Sequence, residues 1–259
     1  MRLVTYDRGG VRRLGALVGQ RGAVIDLGDA VGHPAFPTTL EALVAGSGGT
    51  ALDAARDIVE RPETSEELAL IRPVVVAPLA SAGTRSPIIG PTDRPPWPPF
   101  QAYLDHSPEV GAVVGVGGRD LSPRQARQAI FGYVLVVRWL PTSGRRSTIA
   151  LSLGPWVATP DDLDLRRGGI RSIVGGVLCA AAPLDPARWV FPDVISERSK
   201  APGGIRAGAL VTSTLGRSTA GLGIPLEPGS SVEVESDGLG AVRTTLPTNA
   251  EAGVERPAI

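Results

Sequence analysis

The chain opens with short apolar runs broken by glycine. Leu3-Val4-Thr5-Tyr6 precedes Gly9-Gly10. Leu14-Gly15-Ala16-Leu17-Val18 leads to Gln20-Arg21-Gly22, and Ala23-Val24-Ile25-Asp26-Leu27 follows. Apolar runs separated by glycine turns are hairpin signals, so residues 1–30 predict a β-meander. The period then changes. Between Thr38 and Glu60, Leu40, Leu43, Leu52, Ala55 and Ile58 supply apolar helical positions and Thr39 offers an N-cap. Gly46-Ser47-Gly48-Gly49 divides this stretch into two helices, and Arg61-Pro62 stops the second. Pro73-Val74-Val75-Val76-Ala77-Pro78 reads as a strand entering a second region.

Beyond residue 70 the pattern is mostly one of short strands. Ala112-Val113-Val114 and Tyr133-Val134-Leu135-Val136-Val137 are continuous β-branched or apolar runs and predict buried strands. Between them Ser122 caps a helix that Pro123 begins, with Ala126, Ala129 and Ile130 facing inward; Phe131-Gly132-Tyr133 ends it. The run from Ser230 to Glu235 alternates with period two and predicts an edge or half-exposed strand. It turns at Asp237-Gly238 into a last strand over Ala241–Leu246. The expected class is α+β, mostly β, with a small N-terminal α+β domain at 1–70 and a larger domain at 71–259.

Charge and composition narrow the function more than the fold. The 259 residues carry 26 basic and 26 acidic side chains, and no basic block offers a footprint for nucleic acid or an anionic membrane. No apolar run reaches the roughly 18 residues that span a bilayer. The N-terminus has no signal-peptide core, which predicts a cytoplasmic protein. Cys179 is the only cysteine, so no intramolecular disulfide or thiolate metal cluster forms; its apolar neighbours predict a small core residue.

Motifs carry the rest. Leu104-Asp105-His106-Ser107-Pro108-Glu109 runs into Val110-Gly111-Ala112-Val113-Val114-Gly115 and ends at Gly118-Arg119. Phe131-Gly132-Tyr133-Val134 follows, then Leu153-Gly154-Pro155-Trp156-Val157-Ala158-Thr159. Glu227-Pro228-Gly229-Ser230-Ser231-Val232-Glu233-Val234-Glu235 and Gly238-Leu239-Gly240 close the series. With the opening meander, these landmarks in this order resemble the fumarylacetoacetate hydrolase family. The resemblance implies a mixed β-roll or barrel, a homodimer, and a small-molecule substrate whose β-dicarbonyl group is polarised by a divalent cation on three carboxylates. At those three positions this chain has Ser107, Glu109 and Arg138. The family's lysine and aspartate positions hold Arg145 and Thr148. The region 80–87, where hydrolase members place a histidine–glutamate dyad, has neither residue type.

One carboxylate is too few for a magnesium seat, and a guanidinium beside it repels a cation by about 4 kcal/mol at 4 Å in a protein cleft. The expectation is therefore an enzyme with no cofactor and no metal. Arg138 and Arg145 would stabilise an oxyanion, while Glu109 orients Arg138 or acts as a base. His106 titrates near neutral pH and is a candidate acid or base. Ser107, Tyr103, Trp139, Thr212 and Thr214 are candidate substrate contacts. Each has a plainer reading: an ion-pair partner for Glu109, a strand end for Arg138, core packing for the aromatics. The resulting function is isomerisation, cyclisation or decarboxylation of an enolisable, 1,3-dicarbonyl or polyketide-like substrate, as in natural-product biosynthesis. Two alternatives remain: a metal-dependent hydrolase or decarboxylase of aromatic catabolism using Asp105 and Asp93, and a non-catalytic binding protein.

Overall fold

The computed structural model of the chain describes residues 1–19, 23–46, 49–60, 74–76, 79, 86–99, 103–142, 147–163, 168–184, 190–214 and 224–252. The opening meander forms as its pattern predicts. β1 (Arg2–Arg8), β2 (Val11–Val18) and β3 (Ala23–Asp26) pair antiparallel in sequence order. Gly9 and Gly10 make the first turn at φ of 66° and 84°, which side-chain-bearing residues rarely adopt. The third strand ends before Leu27. The Asp26 carboxylate accepts the Asp29 N–H at 2.9 Å and so caps a short helix, α1 (Leu27–Val31).

The two expected helices follow as α2 (Leu40–Ala45) and α3 (Thr50–Glu60), the first capped by Thr39. β4 (Val74–Val76) returns to the N-terminal strands and pairs antiparallel with β1. β5 (Ile88–Ile89) is short, and β6 (Leu104–Val114) is the long motif strand. Ser122 and Gln125 then form a reciprocal capping box on α4 (Pro123–Gln128). β7 (Ile130–Pro141) runs back along β6, and β8 (Ala150–Leu153) and β9 (Val157–Ala158) follow. A hairpin of β10 (Gly169–Val174) and β11 (Val177–Pro183), α5 (Phe191–Ser199) and β12 (Leu210–Thr214) come next. β13 (Ser231–Ser236), β14 (Gly240–Thr245) and α6 (Asn249–Ala252) complete the described chain.

Ten strands form one curled sheet in the order β12-β6-β7-β9-β1-β2-β3, with β4 on β1 and β8 joining β7 to β5. The β5–β8 pairing is parallel, so the sheet is mixed. A four-stranded antiparallel sheet, β11-β10-β13-β14, lies beside it. The α+β, mostly β architecture is the one expected. β13 is an inner strand, half-exposed, with Val232, Val234 and Ser236 buried and Ser231 exposed.

Each face of β6–β7 has its own core. On one face Leu104, Val110, Leu135, Val137 and Trp139 pack with Ile170, Val234 and Phe191. On the other, Val113, Val134 and Val136 pack with Leu3, Leu14, Leu40 and Leu43. Burying a leucine-sized side chain contributes about 1.5–3 kcal/mol, so α2 holds its place by tertiary packing despite its brevity. Among the described residues the strand pairing from the N-terminal strands to β7 passes through β9, where Arg2 and Leu3 oppose Ala158 and Val157 and Tyr133 opposes Ala158. Gly132 is required at this junction: a Cβ there would lie 2.5 Å from the Ala158 carbonyl oxygen. The expectation that Cys179 is a core residue is corrected. It lies on β11, the sheet edge, and is partly exposed beside Val177 and Leu178 at 66% and 57% exposure.

Candidate functional site

Strand alternation decides which motif residues can meet. Ser107 is the Cα partner of Arg138, Glu109 of Val136 and of Thr214, and Gly111 of Thr212. Cross-strand partners share a face, and so do residues two apart, so Ser107, Glu109, Arg138 and Thr212 belong to one side of the sheet. That side is also the one whose apolar part packs on the N-terminal helices.

Arg138 is held on several sides. Its Nε donates to Glu109 Oε1 at 2.7 Å and its Nη2 to Glu109 Oε2 at 2.8 Å. Nη2 also donates to Thr212 Oγ1 and Nη1 to Thr148 Oγ1, both at 2.8 Å. The planar fork of a guanidinium matches a carboxylate in this way, and ammonium cannot reproduce it. Four of the five guanidinium N–H groups are thereby used, leaving one on Nη1 without a partner among the described residues. The Glu109 side chain is 1% exposed and that of Arg138 26%, so the carboxylate is sealed beneath a guanidinium whose outer part reaches solvent. The Glu109 hydrogen bonds push the Arg138 pKa further above its ordinary value, against the opposing effect of burial. Each Glu109 oxygen accepts one Arg138 N–H, and the side chain is almost wholly buried, so Glu109 is placed to orient Arg138 and is shielded from a substrate.

The other sequence candidates separate. Ser107 is buried next to this pair and makes no side-chain hydrogen bond among the described residues. Thr214 contributes its backbone to β12 opposite Glu109. Tyr103 precedes β6 with its ring exposed, and its carbonyl accepts from Thr142. Arg145 lies outside the described residues.

His106 and Trp139 do not join the site, because alternation sends them to the opposite face. They oppose each other across β6–β7 with ring centroids 5.8 Å apart, and both are fully buried. Trp139 Nε1 donates to Ser152 Oγ at 2.8 Å, and His106 Nε2 lies 2.7 Å from Ser172 Oγ. Burial pushes the His106 pKa down to about 4, against the raising effect of Asp105, so the ring is neutral at ordinary pH. The His106–Ser172 contact ties the large sheet to the small one, and the Trp139–Ser152 bond ties β7 to β8 within the large sheet. Thr148 is the residue missing from the candidate set. It stands outside any strand, and only the tertiary fold brings its hydroxyl to Arg138.

A model of the fumarylacetoacetate (FAA) hydrolase C-terminal domain matches residues 60–247. The chain belongs to the fumarylacetoacetate hydrolase family. No curated protein matches it. Solved structures of this fold match at low identity. Maleylpyruvate hydrolase from Sphingobium sp. SYK-6, in complex with manganese (II) ion and pyruvate, is 20% identical, with a TM-score of 0.73 over 96% of this chain and 99% of that one. Fumarylacetoacetate hydrolase from the psychrophilic Exiguobacterium antarcticum is 18% identical, with a TM-score of 0.74 over 96% and 99%. A probable 2-hydroxyhepta-2,4-diene-1,7-dioate isomerase from Mycobacterium abscessus is 20% identical, with a TM-score of 0.71 over 99% and 100%.

The residues at this site do not fit a divalent cation. Hard cations want several carboxylate or carbonyl oxygens, whereas the site offers one carboxylate, already bidentate to a permanent cation. Among the described residues no group of three or more His, Cys, Asp or Glu side chains is placed to hold a metal. Asp93 accepts the Gly90 N–H at 2.7 Å in an exposed turn, and Asp105 is buried at the start of β6.

Proposed function

We propose that this protein is an enzyme that acts on an enolisable, 1,3-dicarbonyl or polyketide-like small molecule without a divalent cation, using Arg138 in the cation's place. The reading rests on one observation: a guanidinium locked by Glu109, Thr148 and Thr212, with a single N–H left to give among the described residues. When the carbon between two carbonyls gives up its proton, the electron pair moves onto a carbonyl oxygen. A fixed donor already aimed at that oxygen stabilises it without reorganising. The proton goes to water or to another group of the substrate, because Glu109 is buried beneath Arg138 and His106 is on the other face. The names of the fold relatives, two hydrolases and an isomerase of carbonyl-bearing acids, support this substrate chemistry. Isomerisation, cyclisation and decarboxylation all fit it, and natural-product biosynthesis is the setting we favour. A homodimer in the cytoplasm is part of the same proposal, and light scattering measures the assembly.

Metal analysis and turnover of the purified protein test the reading together. We expect substoichiometric magnesium and manganese, turnover of an enolisable diketone unchanged by a chelator, and loss of that turnover in Arg138→Ala. Chelator-sensitive turnover restored by manganese would favour the metal-dependent alternative. Turnover by Arg138→Ala equal to that of the parent would remove Arg138 from the mechanism.

A further inference from the structure

The charge balance of the site points to which dicarbonyl compounds it accepts, an inference that rests on the function proposed above and narrows it. We infer that Glu109 is a specificity-determining residue that selects neutral 1,3-dicarbonyl substrates against those carrying a carboxylate. Three features of the site carry this.

The first is charge. Glu109 neutralises Arg138 through a bidentate pair at 2.7 and 2.8 Å. This ion pair therefore brings no surplus positive charge with which to compensate a buried substrate carboxylate. Moving an unpaired carboxylate out of water is far costlier than moving a carbonyl. The second is donor geometry. Recognition of a carboxylate by arginine uses two parallel N–H groups, and the Nε/Nη2 fork that supplies them is already on Glu109. Thr212 takes the other Nη2 hydrogen and Thr148 one of the Nη1 hydrogens, so Arg138 offers a single N–H, which suits one carbonyl or enolate oxygen. The third is Ser107. It sits directly across from Arg138 on β6, is buried, and has no hydrogen-bond partner among the described residues. A hydroxyl is a neutral donor. Arg138 and Ser107 together present one donor each to the two oxygens of a dicarbonyl and add no net charge. A free β-keto acid is thereby disfavoured, which leaves isomerisation and cyclisation ahead of decarboxylation.

The test uses two probes with the same skeleton, neutral acetylacetone and anionic acetylpyruvate, titrated into the intact protein by calorimetry or by NMR line broadening. The parent protein should bind acetylacetone about tenfold more tightly. Glu109→Gln removes the neutralising charge and frees part of the Arg138 fork, and it should reverse the preference towards acetylpyruvate. Thermal melting of the variant checks its fold, and the parent comparison decides even if Glu109→Gln does not fold. Tighter binding of acetylpyruvate by the parent, lost in Arg138→Ala, would overturn the selectivity and leave Arg138 as the site. No binding of either probe would overturn the site itself.

Discussion

The two faces of the β6–β7 ladder have polar side chains at neighbouring positions and use them in opposite ways. On one face Glu109 and Arg138 are fully charged and paired, with the guanidinium partly in solvent. On the other, His106, Trp139, Ser152 and Ser172 are neutral, linked by hydrogen bonds and out of reach of water. Charge is retained where one end of the pair stays hydrated, and surrendered where the environment is wholly apolar. The difference separates two uses of polarity within one pair of strands: the charged face carries the proposed site, and the neutral face bonds to the small sheet through His106.

Removing the cation breaks this contrast most severely. Arg138→Ala leaves Glu109 buried and unpaired, which costs about 3–5 kcal/mol of stability. It should also lower turnover by about a hundredfold to a thousandfold, the usual penalty for losing an oxyanion donor. Chemical denaturation and steady-state kinetics read the two effects separately.

Acid attacks the other face. His106 has its pKa lowered from 6.5 to about 4 in the folded protein, so the unfolded chain binds the proton first as pH falls. The contribution of this group is fully present above pH 6.5 and drains away between pH 6.5 and pH 4. The loss reaches about 3 kcal/mol and levels off below that. Denaturant titrations across this range should trace the loss, and a flat profile would mean that the ring is hydrated.

Trp139→Phe keeps most of the packing volume and strands Ser152 without its donor. A cost of about 1–3 kcal/mol in stability is expected, with turnover unchanged. A fall in turnover at constant stability would place the ring at the proposed site after all. The smallest effect belongs to Thr148→Val, where solvent can replace the lost acceptor beside a partly exposed guanidinium. About 1 kcal/mol in stability is expected, and the freed Nη1 hydrogen should loosen substrate selection measurably in the probe titrations.

Much of this was legible before the fold. The period-two rule alone puts Ser107 and Glu109 on one face and His106 on the other, and the register repeats the split at Arg138 and Trp139. The candidate residues nonetheless span both faces, because residue type marks chemistry and only strand alternation sorts it by side. Thr148 stands at the family's aspartate position, but its bond to Arg138 shows only in the fold, since its place depends on the path of a loop and on β8 pairing with β7. α1 was missed because Asp26 continues an apolar run, and its role as a cap shows only once Asp29 is counted three residues on. Cys179 misled for the opposite reason. Val177-Leu178-Cys179-Ala180 looks like core by composition, but an edge strand can be just as apolar when nothing described lies over it.

The short bridge at β9 has a mechanical meaning. Hydrogen-bonded continuity between the first strands and the motif ladder, among the described residues, runs through Val157, Ala158 and Thr159, and a single missing methyl at position 132 lets them close. Any side chain there would pry the seam open from within. The N-terminal strands would then rest on the charged strand pair by side-chain contact alone, and a substitution remote from Arg138 would be felt as slack in the wall behind it.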